Sequence, residues 1–362
     1  MRRIVTALWL LTALAVLSAC GKIDWNNPYS EKDARENILY SVFTERPKHL
    51  DPVQSYSSNE IQFTAQIYQP PLQYHYLKRP FVLIPSSATE MPDVTYYDHA
   101  GNQLPYGDQI KDTDIAFSIY QIRLKPGILF QPHPAFAKNE KGDWLYHNLN
   151  NQKLTSVFKL SDFLHTGTRE LQAEDYVYQI KRLAHPKLHS PIYGLMVDYI
   201  VGLSEYAIEL RQINQDPSEG QAYLDLRNFP LEGVRVIDTY TYQIKIKGKY
   251  PQFVYWLAMP FFAPIPWEAD RFYSQPGLIQ KNITLDWYPI GTGPYMMTEN
   301  NPNLRMVLER NPNFRGEYYP AEGMQEDEDN GLLIDAGKEL PFIDKIVYTR
   351  EKESIPRWNK FL

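Results

Sequence analysis

One cysteine, Cys20, is all that a chain of 362 residues contains. No intramolecular disulfide can form, so a cysteine-stapled secreted scaffold is excluded. Positive charge is also in short supply, with 37 Lys and Arg against 43 Asp and Glu. Nucleic-acid binding rests on dense positive charge facing phosphates, and this balance argues against such a partner. Long apolar runs are missing as well. The run from Ile4 to Leu17 falls short of the roughly 20 apolar residues that a comfortable transmembrane helix needs. Neither a G-x-S-x-G elbow nor an H-E-x-x-H zinc helix occurs, since Gly202-Leu203-Ser204-Glu205-Tyr206 lacks the closing glycine. No catalytic residue, metal or cofactor is therefore assigned. A glycosidase built on two carboxylates without a motif is the enzymatic reading left open.

What is present begins with Arg2 and Arg3, the apolar run, and small residues at Leu17-Ser18-Ala19-Cys20. A basic start, a short apolar middle and small residues before a cut describe a secretory signal over residues 1–19. The Leu-Ser-Ala-Cys end resembles a bacterial lipobox, which implies cleavage before Cys20 and a lipid on its thiol. Each buried CH₂ of an acyl chain contributes about 0.8 kcal/mol, and two or more chains hold a protein on a bilayer. Residues 20–36 are polar and without periodicity, and read as a tether. With 43% hydrophobic residues the remainder can bury a sizeable core, and its length suggests two or three domain-sized units.

Along the chain, Asn37 to Phe43 has the β-branched and aromatic content of a strand. Ser57 to Gln69 reads as a helix with Ile61, Phe63, Ala65, Ile67 and Tyr68 inward, stopped by Pro70 and Pro71. Ile115 to Leu124 alternates through Ile115, Phe117 and Ile119, then Ile122 and Leu124, as a half-buried strand does. The segment 131–169 carries His133, His147 and His165 without metal-ligand spacing, and these are expected at the surface. Glu174 and Asp175 suit the first turn of a helix bearing Tyr176, Val177, Ile180 and Leu183. Two strands flank a tight Asp238-Thr239 turn, with Tyr242, Ile244 and Ile246 on one face. Glu326-Asp327-Glu328-Asp329 reads as a solvated acidic loop, and Ser354 as the cap of a helix carrying Ile355, Trp358, Phe361 and Leu362. The chain stops inside that helix.

The segment Tyr288 to Phe314 joins a Gly/Pro turn, Gly291-Thr292-Gly293-Pro294-Tyr295, to an alternating run, Leu304, Met306 and Leu308, and to Glu309-Arg310-Asn311-Pro312. The glycines either adopt positive φ or let another segment come close. This segment resembles the GTGPY…LERNP region of the family 5 extracellular solute-binding proteins, the peptide receptors of ABC importers. Glu45-Arg46-Pro47-Lys48-His49-Leu50-Asp51-Pro52, Tyr68-Gln69-Pro70-Pro71-Leu72, the strand ending at Lys125-Pro126-Gly127, and Leu171 to Asp175 resemble further family segments in the family's order. Gln69 and Pro71 depart from its usual turn, and residues 131–169 are an insertion relative to it.

The resemblance implies an α/β, two-lobed periplasmic-binding-protein (type II) fold with the first lobe present and the second incomplete. It places the first lobe at 37–314 and the start of the second at 315–362. It further implies that Glu45, Arg46, Pro47 and Lys48 line a cleft where an extended peptide pairs with backbone. Tyr193 is a ligand contact on the same grounds, or a core tyrosine. The implied function is capture of peptides or similar extended solutes in the periplasm or cell envelope and delivery to ABC-transporter permease subunits, from a lipid anchor at Cys20. A scaffold or sensing lipoprotein that kept the fold without solute binding is the alternative. Family members are substantially longer, so these 362 residues alone are expected to bind peptide weakly or not at all.

Overall fold

The computed structural model describes residues 33–105, 110–150, 152–214, 223–353 and 358. The expected signal, Cys20, most of the tether and the Ser354 cap lie outside them. Met1–Ile38 and Leu39–Leu362 are separate units; in the first, Asp33–Arg35 form one 3₁₀ turn. The second unit holds two four-stranded sheets. Strands are numbered along the chain.

The first sheet runs in the order β1 (Ile38–Phe43), β12 (Lys345–Arg350), β9 (Arg305–Arg310), β8 (Tyr295–Asn301). β8 and β9 are an antiparallel hairpin whose register shifts between Met297 and Glu299. The polar bend between them is closed by the Leu304 amide on the Asn301 carbonyl and the Asn303 amide on the Asn301 side chain. Asparagine beside proline favours such a turn because its side chain caps the backbone two residues on. The expected alternation through Leu304 fails at its first member: Leu304 is exposed in the turn, and Met306, Val307 and Leu308 are all buried. β9 is flanked on both sides, so both of its faces pack.

The second sheet runs β4 (Asp93–Tyr97), β5 (Phe117–Arg123), β7 (Thr241–Lys247), β6 (Val234–Asp238), antiparallel throughout. Tyr242, Ile244 and Ile246 form the inward row expected of them. Of the row expected on and around β5, Ile115, Ile122 and Leu124 are buried, but the alternation is reversed at Phe117 and Ile119. Ser118, Tyr120 and Ile122 are buried, whereas Phe117 and Ile119 lie half-buried on the outer face. The inward polar groups are satisfied by carbonyls: Ser118 Oγ donates to Gly248 and Tyr120 Oη to Tyr250. Outside, Tyr97 stacks on Phe117 at 4.9 Å and Lys245 lies over the same ring, which shields it from water.

Two short ribbons, β2 (Leu72–Tyr74) with β3 (Leu83–Pro85) and β10 (Glu317–Tyr318) with β11 (Glu339–Leu340), complete the strands described. The helices are α1 (Ser58–Ile67), α2 (Ala173–Arg182), α3 (Tyr193–Tyr199), α4 (Leu203–Asn214), α5 (Phe253–Trp256), α6 (Trp267–Tyr273), α7 (Pro276–Gln280) and α8 (Gln325–Asp329). α8 occupies the stretch read as an acidic loop. α1 packs on the first sheet through Phe63, whose ring meets Tyr348 at 4.8 Å and Phe43 at 6.0 Å. α2 packs on the second through Tyr176, stacked on Tyr242 at 5.3 Å. Ile61 and Ala65 of α1 are exposed, not inward.

Within 131–169, His133 and His147 are buried, not at the surface, and His165 is exposed. His133 Nδ1 accepts the Ala135 amide, which leaves Nε2–H to donate to the Tyr273 hydroxyl at 2.7 Å. That hydroxyl in turn donates to the Tyr288 carbonyl. Burial pushes the His133 pKa down to about 3, so the ring is neutral and structural. His147 stacks on Trp144 at 4.5 Å and bonds the Ala135 carbonyl. At the end of this segment Arg169 pairs with both Asp175 of α2 and Glu268 of α6 and lies over the rings of Phe130 and Phe136.

Gly291 and Gly293 serve close approach. The Gly293 amide donates to the Ile67 carbonyl at the end of α1. A Cβ on Gly291 would stand 2.0 Å from that oxygen, and one on Gly293 2.6 Å. Backbone blocks the space, so Gly291→Ala must push α1 off the first sheet. A loss of about 1–3 kcal/mol is expected, as for other overpacked cores. A urea midpoint unchanged in this variant would show that the approach is looser than described.

Candidate functional site

β1 ends at Phe43, and Thr44 to Lys48 then run over the surface with Glu45, Arg46 and Lys48 exposed and Pro47 half-buried. Three carboxylates hold the backbone from Lys48 to Ser57. Glu60, in the first turn of α1 and 1% exposed, accepts four backbone amides: Lys48 and His49 on Oε1, Tyr56 and Ser57 on Oε2, all at 2.9–3.0 Å. Asp286 takes the Leu50 and Asp51 amides on Oδ1, each at 3.0 Å, and His49 Nδ1 on Oδ2 at 3.2 Å. Asp51 accepts the Val53 amide and a two-pronged donation from Arg182 at 2.9 and 2.7 Å. The Tyr68 hydroxyl donates to the Leu50 carbonyl, and the Asn59 side chain to that of Arg46. The amides of Lys48 to Asp51, Tyr56 and Ser57 and the carbonyls of Arg46 and Leu50 thus find partners on or beside α1 and on Asp286.

The electrostatics arise from burial. Desolvation pushes the Glu60 carboxyl upward, but its four amide donors outweigh that and hold it below the ordinary carboxylate range. Asp286 is raised, by burial first and then by the nearby Asp51 charge, against the pull of its own amide and histidine donors. Arg182 is 1% exposed. Burial opposes its charge, yet Asp51 and then Asp270 hold it more firmly protonated than usual. Asp270 Oδ1 lies 3.5 Å from Nε, which has no hydrogen-bond partner.

Among the described residues the side chains of Glu45, Arg46 and Lys48 make no ion pair. Glu45 and Arg46 precede, and Lys48 begins, the stretch of backbone held by Glu60 and Asp286. Tyr56, in the same loop, has its ring exposed beside Phe261 at 6.1 Å. Tyr193 sits elsewhere, half-buried at the start of α3 against the core. α3 itself lies along β7, where Tyr199 stacks on Tyr250 at 4.1 Å. Among the described residues, no hydrogen bond, ion pair or ring contact joins Tyr193 to residues 45–48. Cys20 lies outside the described residues. Sequence reasoning passed over Glu60, Asp286 and Arg182. Ser57-x-x-Glu60 is a local helix-start signal that points to the first. Asp286 is 235 residues from Asp51 and Arg182 is 131 residues from it, and neither carries a local signal.

Among the described residues no three His, Cys, Asp or Glu are placed to hold a metal ion, and no helix is long and apolar enough to cross a membrane. Solved structures identify the class: the α/β fold is that of two-lobed periplasmic binding proteins. The oligopeptide-binding protein OppA of Listeria monocytogenes, solved with bound peptide, superposes with a TM-score of 0.53 at 14% identity over 90% of this chain and 45% of that one. The murein tripeptide-binding protein MppA of Escherichia coli gives 0.52 at 16% identity over 90% and 44%. The profile of the bacterial extracellular solute-binding proteins, family 5 (middle region), matches residues 131–361, and the chain belongs to that family. The periplasmic oligopeptide-binding protein OppA of Salmonella typhimurium is 25% identical over 209 residues, 57% of this chain and 33% of that protein. The chain therefore spans a third of the length of this curated relative and under half that of the solved structures.

Proposed function

We propose that the chain supplies one lobe of a receptor that captures peptides or similar extended solutes and passes them to the permease of an ABC importer. In this reading residues 37–314 make up the first lobe, with 131–169 inserted, and 315–362 begin the second. Glu45, Arg46, Pro47 and Lys48 meet the ligand, Tyr193 contributes a further contact, and a lipid on Cys20 tethers the protein to the membrane of the envelope. The observation that carries the reading is the loop after β1, which exposes Glu45, Arg46 and Lys48 where the chain enters a backbone held by Glu60 and Asp286 from Lys48 onward. A ligand strand meeting a pre-ordered backbone loses less entropy on binding, and backbone pairing tolerates varied side chains. The OppA and MppA relatives, which bind oligopeptides and a tripeptide, indicate the ligand class.

The test is a thermal-shift screen with short peptides on this chain without its signal, and on a form extended into the downstream reading frame. A ligand that binds only the native state raises apparent stability by RT ln(1 + [L]/Kd). The extended form is expected to shift, this chain weakly or not at all, and Arg46→Ala with Lys48→Ala to reduce the shift. If both forms fold and neither responds to any peptide, the solute-binding reading fails.

A further inference from the structure

A second concave site lies away from the loop after β1. Its cavity of about 290 Å³ is bounded by the β2–β3 and β10–β11 ribbons and the residues leading into them. Two cations converge in it: Lys125 Nζ and Arg315 Nη2 both donate to the Ser86 carbonyl, at 2.7 and 2.9 Å. Among the described residues Lys125 has no carboxylate within ion-pair distance. Arg315 has only Glu317, at 3.5 Å. Glu317 is already engaged by Gln69, Gln73 and Tyr76. Within the lining the two cations face one carboxylate, Glu317, and Glu339 lies beside Gly316 at the edge of the cleft. Ile84, Pro85, Tyr318 and Pro320 give it apolar walls. Sharing one carbonyl oxygen leaves the remaining N–H groups of both cations available to another acceptor, and a carbonyl cannot neutralise two charges as an anion does.

We propose that this cleft binds a small oxyanion, a carboxylate or phosphate borne on a short apolar body, with Lys125 and Arg315 as its ligands. Its volume of about 290 Å³ stands at the lower end of the roughly 300–1,000 Å³ of small-molecule pockets, which suits a small ligand. The site is separate from the loop after β1. β12 starts near the cleft, where Arg310 reaches the Pro341 carbonyl, and ends where the Glu351 amide meets the Phe43 carbonyl. Six strand residues at about 3.3 Å each set the two about 15–20 Å apart. The inference therefore does not depend on peptide capture at the other end of the sheet.

The experiment is isothermal titration of the whole chain with inorganic phosphate, acetate and N-acetyl-leucine, in wild type, Lys125→Met, Arg315→Met and the Arg46→Ala/Lys48→Ala pair. Far-UV circular dichroism and thermal melts confirm folding of each. Saturable binding of at least one probe is expected, at least tenfold weaker in either cleft variant and unchanged in the loop pair. Which probe binds best identifies the oxyanion. No saturable binding of any probe, equal binding in a folded Lys125→Met, or an equal loss in the loop pair would overturn the proposal.

Discussion

Arg182→Met is expected to destabilise the protein by about 3–5 kcal/mol, as removal of one partner of a buried ion pair does. The guanidinium faces two carboxylates, Asp51 and Asp270. Without it the Asp51 carboxylate stays buried with the Val53 amide as its hydrogen-bond donor. The penalty comes from the charge left behind more than from the bond lost. Arg182→Met combined with Asp51→Asn should therefore recover part of the loss, because the amide carries no charge to strand. Urea titrations of wild type, both single variants and the double give the coupling directly. A single-variant loss under about 1 kcal/mol would mean that water reaches Asp51 and that the pair is not sealed. Asp51 lies three residues beyond Lys48, so the same substitution should loosen the loop, visible as faster amide exchange at Lys48 to Asp51.

Glu60→Ala is the second large effect, with an expected loss of about 2–4 kcal/mol. Four amides lose their acceptor at once, and each unsatisfied buried donor costs about 1–3 kcal/mol, reduced where water can enter. Glu60→Gln should fall between. One oxygen remains to serve one pair of amides, while the other pair faces an NH₂ group. The pH dependence has a definite sign. The folded-state pKa of Glu60 lies below its ordinary value of 4.5, so its contribution is complete above that pH and declines as pH falls through the folded value. The gap between wild type and Glu60→Gln should accordingly be full above pH 4.5 and narrow as the pH falls below it. A gap that stays constant between pH 7 and 3 would assign the effect to shape and not to charge.

The two principal helices, the β6–β7 pair and the β8–β9 hairpin are legible in the sequence because their signals are local. Pro70 and Pro71 stop α1, Asp238 caps the β6–β7 turn through the Tyr240 amide, and Asn301 with Pro302 makes the hairpin bend. β5 shows why other features were not. A period of two reports that a strand has two rows but not which row faces inward. Ser118 turns inward because Gly248, 130 residues later, offers its carbonyl. His133 and His147 read as surface residues because their partners, Tyr273 and the Ala135 carbonyl, are assigned only by the fold. The candidate site divides in the same way. Its exposed charges at 45–48 stand in the sequence, whereas Asp286, which holds the backbone after them, and Arg182, the partner of Asp51, come from distant parts of the chain.

β12 has a mechanical consequence. It is hydrogen-bonded between β1 and β9, in a register running from Lys345 opposite Glu309 to Thr349 opposite Arg305. Tension applied at residue 351 along the strand would load these bonds in shear, all together, instead of peeling them one at a time. The Glu351 amide on the Phe43 carbonyl lies at the head of that path. A force arriving there is shared between the residue that precedes Thr44 and the buried Ile346, Val347 and Tyr348 of β12.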